Sequence, residues 1–361
     1  MNFRLGLIRG LRRAGYEIVV AAPADGHAQK LVAEGVRFLP LPMTRSGMNP
    51  VKELRLLTRY GRLMREVRPA VYLGFTIKPN IYGSLAAATT GVPSINNVSG
   101  LGTMFLGGGG KAALARALYR LALRRSATVF FQNPEDLQSF VDSGTVRHGQ
   151  ARLLPGSGID LDHYAPAPLP EGAPVFLFAG RLLADKGVRE FVAAARLARD
   201  GVPGARFQLL GAPDPGNPSN IPEAQLDAWR TDGTVELLGE ASDVRPHIAR
   251  ATAVVLPSYR EGLPRVLLEA AAMGRPMIAS DVPGCRTIVE PGNNGLLCSV
   301  RDPRSLADAM IEIAELSHGQ RQAMGRAARA TVERDFGEER VIEAYLEALR
   351  EIEAPFRVGG P

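Results

Sequence analysis

The sequence predicts an α/β protein built from two facing, doubly wound, Rossmann-like domains. Three observations predict it. Short apolar runs alternate with amphipathic stretches along the chain, a glycine- and proline-rich break interrupts the alternation near the middle, and 361 residues exceed one ordinary core. The strands are expected at Glu17–Ala21, Val71–Gly74, Thr128–Phe131, Val175–Ala179, Phe207–Leu210 and Val254–Leu256. Each is short, apolar on both faces and rich in β-branched or aromatic residues, as in a buried parallel sheet. Between them, Val51–Arg68, Pro79–Thr89, Val188–Arg199 and Ser305–Ala314 repeat apolar residues at helical spacing. Residues 156–174 hold the break, so the expected organisation is a domain over 1–160, a linker over 161–174 and a second domain over 175–336. A last helix over 337–361 has the option of crossing back to the first domain. Ligands of such sheets bind at the carboxyl ends of the strands.

Composition narrows the function. A hydrophobic share of 45% with 22% charged residues is that of a globular protein, and no apolar run reaches the length of a membrane span. The basic start lacks the apolar core and cleavage site of a secretory signal. These features point to a cytoplasmic protein. Cys285 and Cys298 are read as buried thiols rather than a disulfide. The first 165 residues carry 21 Lys+Arg against 10 Asp+Glu, and the remainder 22 against 27. A basic half suits an anionic partner such as a membrane surface or a phosphorylated acceptor, and equally suits plain use of arginine on solvated faces.

Two segments carry the chemistry. Ser258-Tyr-Arg-Glu-Gly-Leu-Pro-Arg-Val-Leu-Leu-Glu269 follows an apolar strand and opens a helix, with Pro264 suited to the first helical position. A helix N-terminus offers backbone N–H groups and a positive dipole end to a phosphate, and Gly262 allows close approach of a ligand. Glu261 falls in the turn and Glu269 within the helix. A surface turn before an ordinary amphipathic helix is the alternative. Ala179-Gly-Arg-Leu-Leu-Ala-Asp-Lys-Gly187 likewise follows a strand, and Arg181 and Lys186 pair a planar fork with a compact cation, a combination suited to a diphosphate.

Glu261 and Glu269, with seven residues between them and with Arg181 and Lys186 upstream, resemble the large retaining glycosyltransferase family (family 4) of GT-B architecture. Ile77-Lys-Pro-Asn-Ile-Tyr-Gly83, Asn97-Val-Ser-Gly-Leu-Gly102, Phe131-Gln-Asn-Pro134 and Gly156-Ser-Gly-Ile-Asp160 extend the likeness over nearly the whole chain. They look most like transferases of bacterial O-antigen, capsule and glycoprotein glycans that add hexoses or N-acetylhexosamines to polyprenyl-diphosphate-linked sugars. The resemblance implies a UDP-sugar co-substrate and no metal or other cofactor. It assigns Arg181, Lys186 and Glu261 to catalysis, and Gly180, Arg181, Lys186, Glu261, Gly262, Leu263 and Glu269 to donor binding. Lys78, Asn80 and Asn97 become acceptor-side candidates.

Two departures accompany the likeness. Many relatives place a histidine near the end of an N-domain strand, where this chain has Ser94-Ile-Asn-Asn-Val-Ser-Gly100. Relatives also open with an apolar strand, whereas this sequence opens with a helical pattern, so translation is expected to start upstream of Met1. A sugar-nucleotide epimerase of similar architecture and a non-catalytic, truncated sugar-nucleotide-binding protein stand as alternatives. No G-x-G-x-x-G opens a helix, Gly107–Lys111 is no P-loop, and the five histidines have no metal-ligand spacing. Asp160-Leu-Asp162 lies in the linker, away from any expected site, and no nucleic-acid module is recognised. In Lys111–Arg125, basic Lys111, Arg116, Arg120, Arg124 and Arg125 accompany leucines at helical spacing. Such a helix suits the cytoplasmic face of the inner membrane, as a peripheral contact, or packs its leucines inward as an ordinary surface helix.

Overall fold

The computed structural model describes residues 4–24, 28–43, 49–100 and 110–357. Two compact units divide the chain, one of residues 1–158 with 338–361 and one of 159–337.

The first unit runs α1 (Leu5–Arg13), β1 (Val19–Ala22), α2 (Ala28–Ala33), β2 (Arg37–Pro40), α3 (Pro50–Val67) and β3 (Tyr72–Phe75). A single π-turn at Pro79–Gly83 leads into α4 (Ser84–Thr90), followed by β4 (Ser94–Val98), α5 (Gly110–Leu123), β5 (Thr128–Phe131), α6 (Pro134–Asp142) and β6 (Ala151–Leu153). Two helix starts are local in origin. Asn49 accepts from the amides of Val51 and Lys52, and Asn133 from that of Asp136, each just before a proline that can lose its own N–H without cost. The strand expected over 17–21 begins at Val19, and the helix expected from Pro79 is π-wound for its first five residues.

All pairings in this unit are parallel, yet its strands form two sheets, β1-β2 and β3-β4-β5-β6. Register sorts the side chains of the larger sheet. Tyr72, Val98, Val129 and Phe131 face α3, α4 and α5, whereas Leu73, Phe75, Ile95 and Phe130 face the other way. The smaller sheet shares both layers, because Ile18 joins the cluster of Leu73 and Phe75, and Ala21 that of Tyr72.

The second unit runs β7 (Val175–Ala179), α7 (Val188–Ala198), β8 (Arg206–Leu210), α8 (Glu223–Asp232), β9 (Glu236–Gly239), α9 (Arg245–Arg250), β10 (Ala253–Leu256), α10 (Arg265–Ala272), β11 (Met277–Ser280), α11 (Pro283–Arg286), β12 (Gly295–Cys298), α12 (Pro303–Glu315) and α13 (His318–Asp335). Helix α14 (Glu338–Arg357) then returns to the first unit, where Ile342 and Tyr345 pack with Ile95 and Phe130. The six strands of the second unit are parallel in the order β12-β11-β10-β7-β8-β9. Strand order reverses between β7 and β10, so loops leaving their carboxyl ends open at one place.

The proline-rich stretch 161–174 does not hang free as a linker; it is part of the second unit. Tyr164 and Leu169 are buried, and Arg275, itself fully buried, donates to the carbonyls of Ala167, Pro168, Ile248 and Ala249. Cys285 and Cys298 are free, buried thiols. Burial pushes the first well above the usual thiol range and the second to about 11.

Candidate active site in the second unit

The loops after β7 and β10 leave neighbouring strands, paired through Phe176–Ala253 and Leu177–Val254. Backbone and side chains then stitch them together. The Tyr259 amide donates to the Asp185 carbonyl at 2.9 Å, and Lys186 Nζ lies 2.6 Å from Glu261 Oε1. Gly187 makes this approach possible. Its φ is +74°, and a β-carbon there would lie 2.0 Å from the Pro257 carbonyl oxygen. On the far side, a β-carbon on Gly284 of α11 would lie 2.4 Å from the Gly262 carbonyl oxygen, so α11 seats directly on the Glu261–Gly262 backbone. Tyr259 adds a third anchor through its hydroxyl, which donates to Glu190 of α7 at 2.8 Å.

Lys186 and Glu261 are therefore held on a stiff platform and are largely shielded, at 28% and 11% side-chain exposure. Gly180 follows β7 directly, with its amide bound to the Leu210 carbonyl. Arg181 stands on the same turn as Lys186 but pairs with Asp214 on the loop after β8, at 2.9 Å. Arg181 is more than half exposed, so this pair contributes little to stability, and its fork can be redirected at small cost.

Helix α10 starts at Arg265, with Pro264 as its N-cap rather than its first residue, and no side chain caps it. First-turn amides of a helix have no acceptor within the helix, which leaves this end suited to an anion. Gly262 and Leu263 form the last loop residues before it. Glu269 sits one turn along, buried, where its Oε1 accepts from the Tyr164 hydroxyl at 3.0 Å and from Arg265 Nε at 2.9 Å. Burial raises the carboxyl above its usual range, against the opposing pull of Arg265 and Tyr164. Tyr164 itself is pushed up to about 12 by burial and the adjacent carboxylate.

Two domain descriptions match the chain. A glycosyl transferase 4-like domain covers residues 3–157, and a domain of glycosyl transferases group 1 covers residues 173–315. The chain is a glycosyltransferase. The transferase is 27% identical over 332 residues to the N,N'-diacetylbacillosaminyl-diphospho-undecaprenol alpha-1,3-N-acetylgalactosaminyltransferase of Campylobacter jejuni, covering 87% of this chain and 86% of that one. It is 24% identical to the UDP-Gal:alpha-D-GlcNAc-diphosphoundecaprenol alpha-1,3-galactosyltransferase of Escherichia coli, over 83% of this chain and 80% of the relative. Among solved structures it resembles the sucrose-phosphate synthase of Thermosynechococcus elongatus, with a TM-score of 0.81 at 21% identity over 97% and 92% of the two chains. The Anabaena protein Alr3699/HepE in complex with UDP gives a TM-score of 0.77 at 19% identity over 97% and 96%. These likenesses establish the GT-B fold. The two domain matches and the named relatives carry the transferase reading over the epimerase.

The acceptor-side candidates of the transferase lie in its first unit. Asn80 and Asn97 are fully enclosed. Asn80 Nδ2 donates to the Asn97 carbonyl at 2.9 Å, and Asn97 Nδ2 to the Tyr345 hydroxyl at 3.2 Å. As placed, both side chains turn inward, Asn97 from the interior of β4 and Asn80 from the π-turn packed against it. Lys78 is nearer the surface and pairs with Glu53 of α3 at 2.5 Å. Arg116 and Arg120 of α5 and Arg124 and Arg125 of the turn after it are all exposed, and Arg120 donates to the Ser143 carbonyl; the Lys111 side chain lies outside the described residues. Leu118 and Leu123 turn inward, but Leu114 and Leu121 face solvent at 51% and 60% exposure, so the inward-packing expectation holds for only part of the helix.

Sequence reading missed Tyr164, Asp214 and Arg265. Arg265 had a legible signal, being four residues before Glu269 on one helix face. Tyr164 and Asp214 had none, since each reaches its partner through the fold.

Proposed function

We propose that the protein is a retaining transferase that moves a hexose or N-acetylhexosamine from a UDP-sugar to a polyprenyl-diphosphate-linked saccharide in bacterial surface-glycan synthesis. The observation that carries this reading is the Lys186–Glu261 contact beside the uncapped start of α10. Departure of a nucleoside diphosphate builds negative charge, and a cation and helix N-terminus fixed in advance stabilise it most effectively. Arg181 and Lys186 supply that positive charge without a metal, and Gly262 and Leu263 offer backbone amides to the phosphates. Glu261 holds donor-sugar hydroxyls, and Glu269, oriented by Tyr164 and Arg265, accepts from the ribose.

In this scheme the bond from the anomeric carbon to the diphosphate oxygen breaks while the acceptor hydroxyl oxygen bonds to that carbon on the same face. The acceptor proton passes to the departing phosphate oxygen, so configuration is retained and no separate base is required. The polyprenyl acceptor is supported by the two relatives named for diphospho-undecaprenol substrates, and the uridine by the neighbour solved with UDP. No helix among the described residues is long and apolar enough to cross a membrane. We place the enzyme at the cytoplasmic face of the inner membrane, reached peripherally through α5. Nucleic acid has no part in this reading.

The test offers purified protein a panel of UDP-, GDP- and ADP-sugars with a polyprenyl-diphosphate disaccharide. Acceptor-dependent release of UDP and an α-linked product from an α-linked donor support the proposal. Turnover that ignores the acceptor, or a product of inverted configuration, overturns it.

A further inference from the structure

Helix α5 is not the basic surface helix's sole example in the first unit. Helix α3 turns Leu56, Tyr60 and Met64 inward and exposes Lys52, Arg55, Arg59, Arg62 and Arg65. Its acidic residues do little to balance them. Glu53 is buried against Lys78, which leaves Glu66 as the exposed acid of the helix. At its first turns Val51 and Leu54 stand in solvent at 58% and 63% exposure. Val51 and Leu54, three residues apart on the helix, form a small apolar tip among the basic side chains.

Sheet register shows that α3 and α5 share a side. Both pack on the face carrying Tyr72, Val98 and Phe131, and both touch the Pro79–Gly83 turn that lies between them. The intervening helix α4, SLAAATT, carries no charge. The outer faces of α3 and α5 thus point the same way, with Val51, Leu54, Leu114 and Leu121 projecting from a field of arginines. The α3/α5 face stays basic even with exposed Glu135 and Asp142 of α6 beside it, whereas the opposite layer is near balance, since α1 contributes Arg9, Arg12 and Arg13 there against the acids of α14. Helix α14 carries Glu338, Glu339, Glu343, Glu347, Glu351 and Glu353 against Arg340, Arg350 and Arg357. A general excess of arginine would load both faces alike, so this sidedness asks for a partner.

We infer that α3 is a second membrane-contact helix, which with α5 docks the first unit on an anionic bilayer and presents the Lys78 edge of the Pro79–Gly83 turn to it. The inference rests on the peripheral-membrane reading of α5 and extends it to residues of no previous assignment. A planar anionic surface is the occupant because the charge is spread over two helices rather than focused in a pocket, and the apolar tips are single side chains of interfacial reach.

The test is sedimentation with vesicles of phosphatidylcholine alone and of equal parts phosphatidylcholine and phosphatidylglycerol. Wild type is expected to partition onto the anionic vesicles only. The triple variant Arg55→Glu, Arg62→Glu, Arg65→Glu should partition roughly tenfold less or lower, at an unchanged melting temperature. The triple lysine variant at the same positions should bind like wild type, which separates lost charge from lost fold. If the α3 glutamate variant binds normally while Arg116→Glu with Arg124→Glu abolishes binding, the inference fails and the α5 reading survives. Wild type that ignores anionic vesicles overturns both.

Discussion

Lys186 Nζ and Glu261 Oε1 lie 2.6 Å apart although 75 residues separate them in sequence. The pairing follows from topology, since β7 and β10 become neighbours only where the strand order reverses. The ammonium and the carboxylate hold each other in place at the carboxyl ends of these two strands. On the function proposed above, a diphosphate would draw the ammonium away and leave the carboxylate to the sugar hydroxyls.

Lys186→Ala should therefore lower kcat/KM for the donor by about 10²–10³, the usual loss when one fixed electrostatic group is removed. The melting temperature should fall only modestly, because Lys186 keeps contact with solvent and water can take the place of its ammonium beside the shielded Glu261. Steady-state kinetics beside a thermal melt check both. A variant that loses its fold and its activity together would contradict this account.

Gly187→Ala should act through the backbone. Its φ of +74° and the 2.0 Å approach to the Pro257 carbonyl oxygen leave no space for a methyl group. A stability loss of about 1–3 kcal/mol is expected, with a raised donor KM as the two loops part. Denaturant unfolding and donor titration read the two effects. Gly149→Ala, where nothing stands within 4 Å, is the control.

Glu269 gives a pH dependence of definite sign. Burial raises its pKa, so between the ordinary carboxylate value and the raised one the native state binds more protons than the unfolded state. Its burial penalty is thus absent below that window and fully felt above it. Donor binding should move oppositely if, as proposed, the ionised form accepts ribose hydroxyls. Donor KM should rise on acidification before an ordinary carboxylate would protonate. Tyr164→Phe, which removes a group that lowers this pKa, should shift the limb to higher pH, and Glu269→Gln should flatten it. A donor KM independent of pH from 5 to 8 in both wild type and Tyr164→Phe would count against the assignment (pH range about that of native stability).

Arg275→Met should destabilise the second unit by about 3 kcal/mol or more, since four carbonyls lose their buried donor at once. Urea unfolding measures it. Because Ala167 and Pro168 are among those carbonyls, limited proteolysis should open first near them.

Sequence pattern made the second unit legible to a large degree. The runs Val175–Ala179 and Val254–Leu256 are apolar on both faces, and they stand as β7 and β10 with almost those bounds. The glutamate and lysine loops were visible because glycine and proline punctuate them. The first unit was harder to read. Strand β4 is Ser-Ile-Asn-Asn-Val, whose asparagines look like a loop until Ser84, Ser126 and Tyr345 are seen to satisfy them. The same burial ties the Asn97 side chain to Tyr345 and Gln132, a consequence of tertiary pairing that no local spacing encodes. Tyr164 belongs to a stretch whose prolines suggested a free connector, and only its contact with Glu269 reveals its use.

The division of the first unit into two parallel sheets has a chemical consequence of its own. Among the described residues, β1 and β3 share an apolar layer above and below, yet no ladder joins them. Each strand is half-buried and has one ladder partner among the described residues, so a row of its amides and carbonyls is left to water. Such a seam is hungry for an extended peptide. Deuterium should enter those two strands ahead of β4 and β5, and concentrated protein should stick to itself along that line unless some segment, from whatever source, lies down in the seam and closes it.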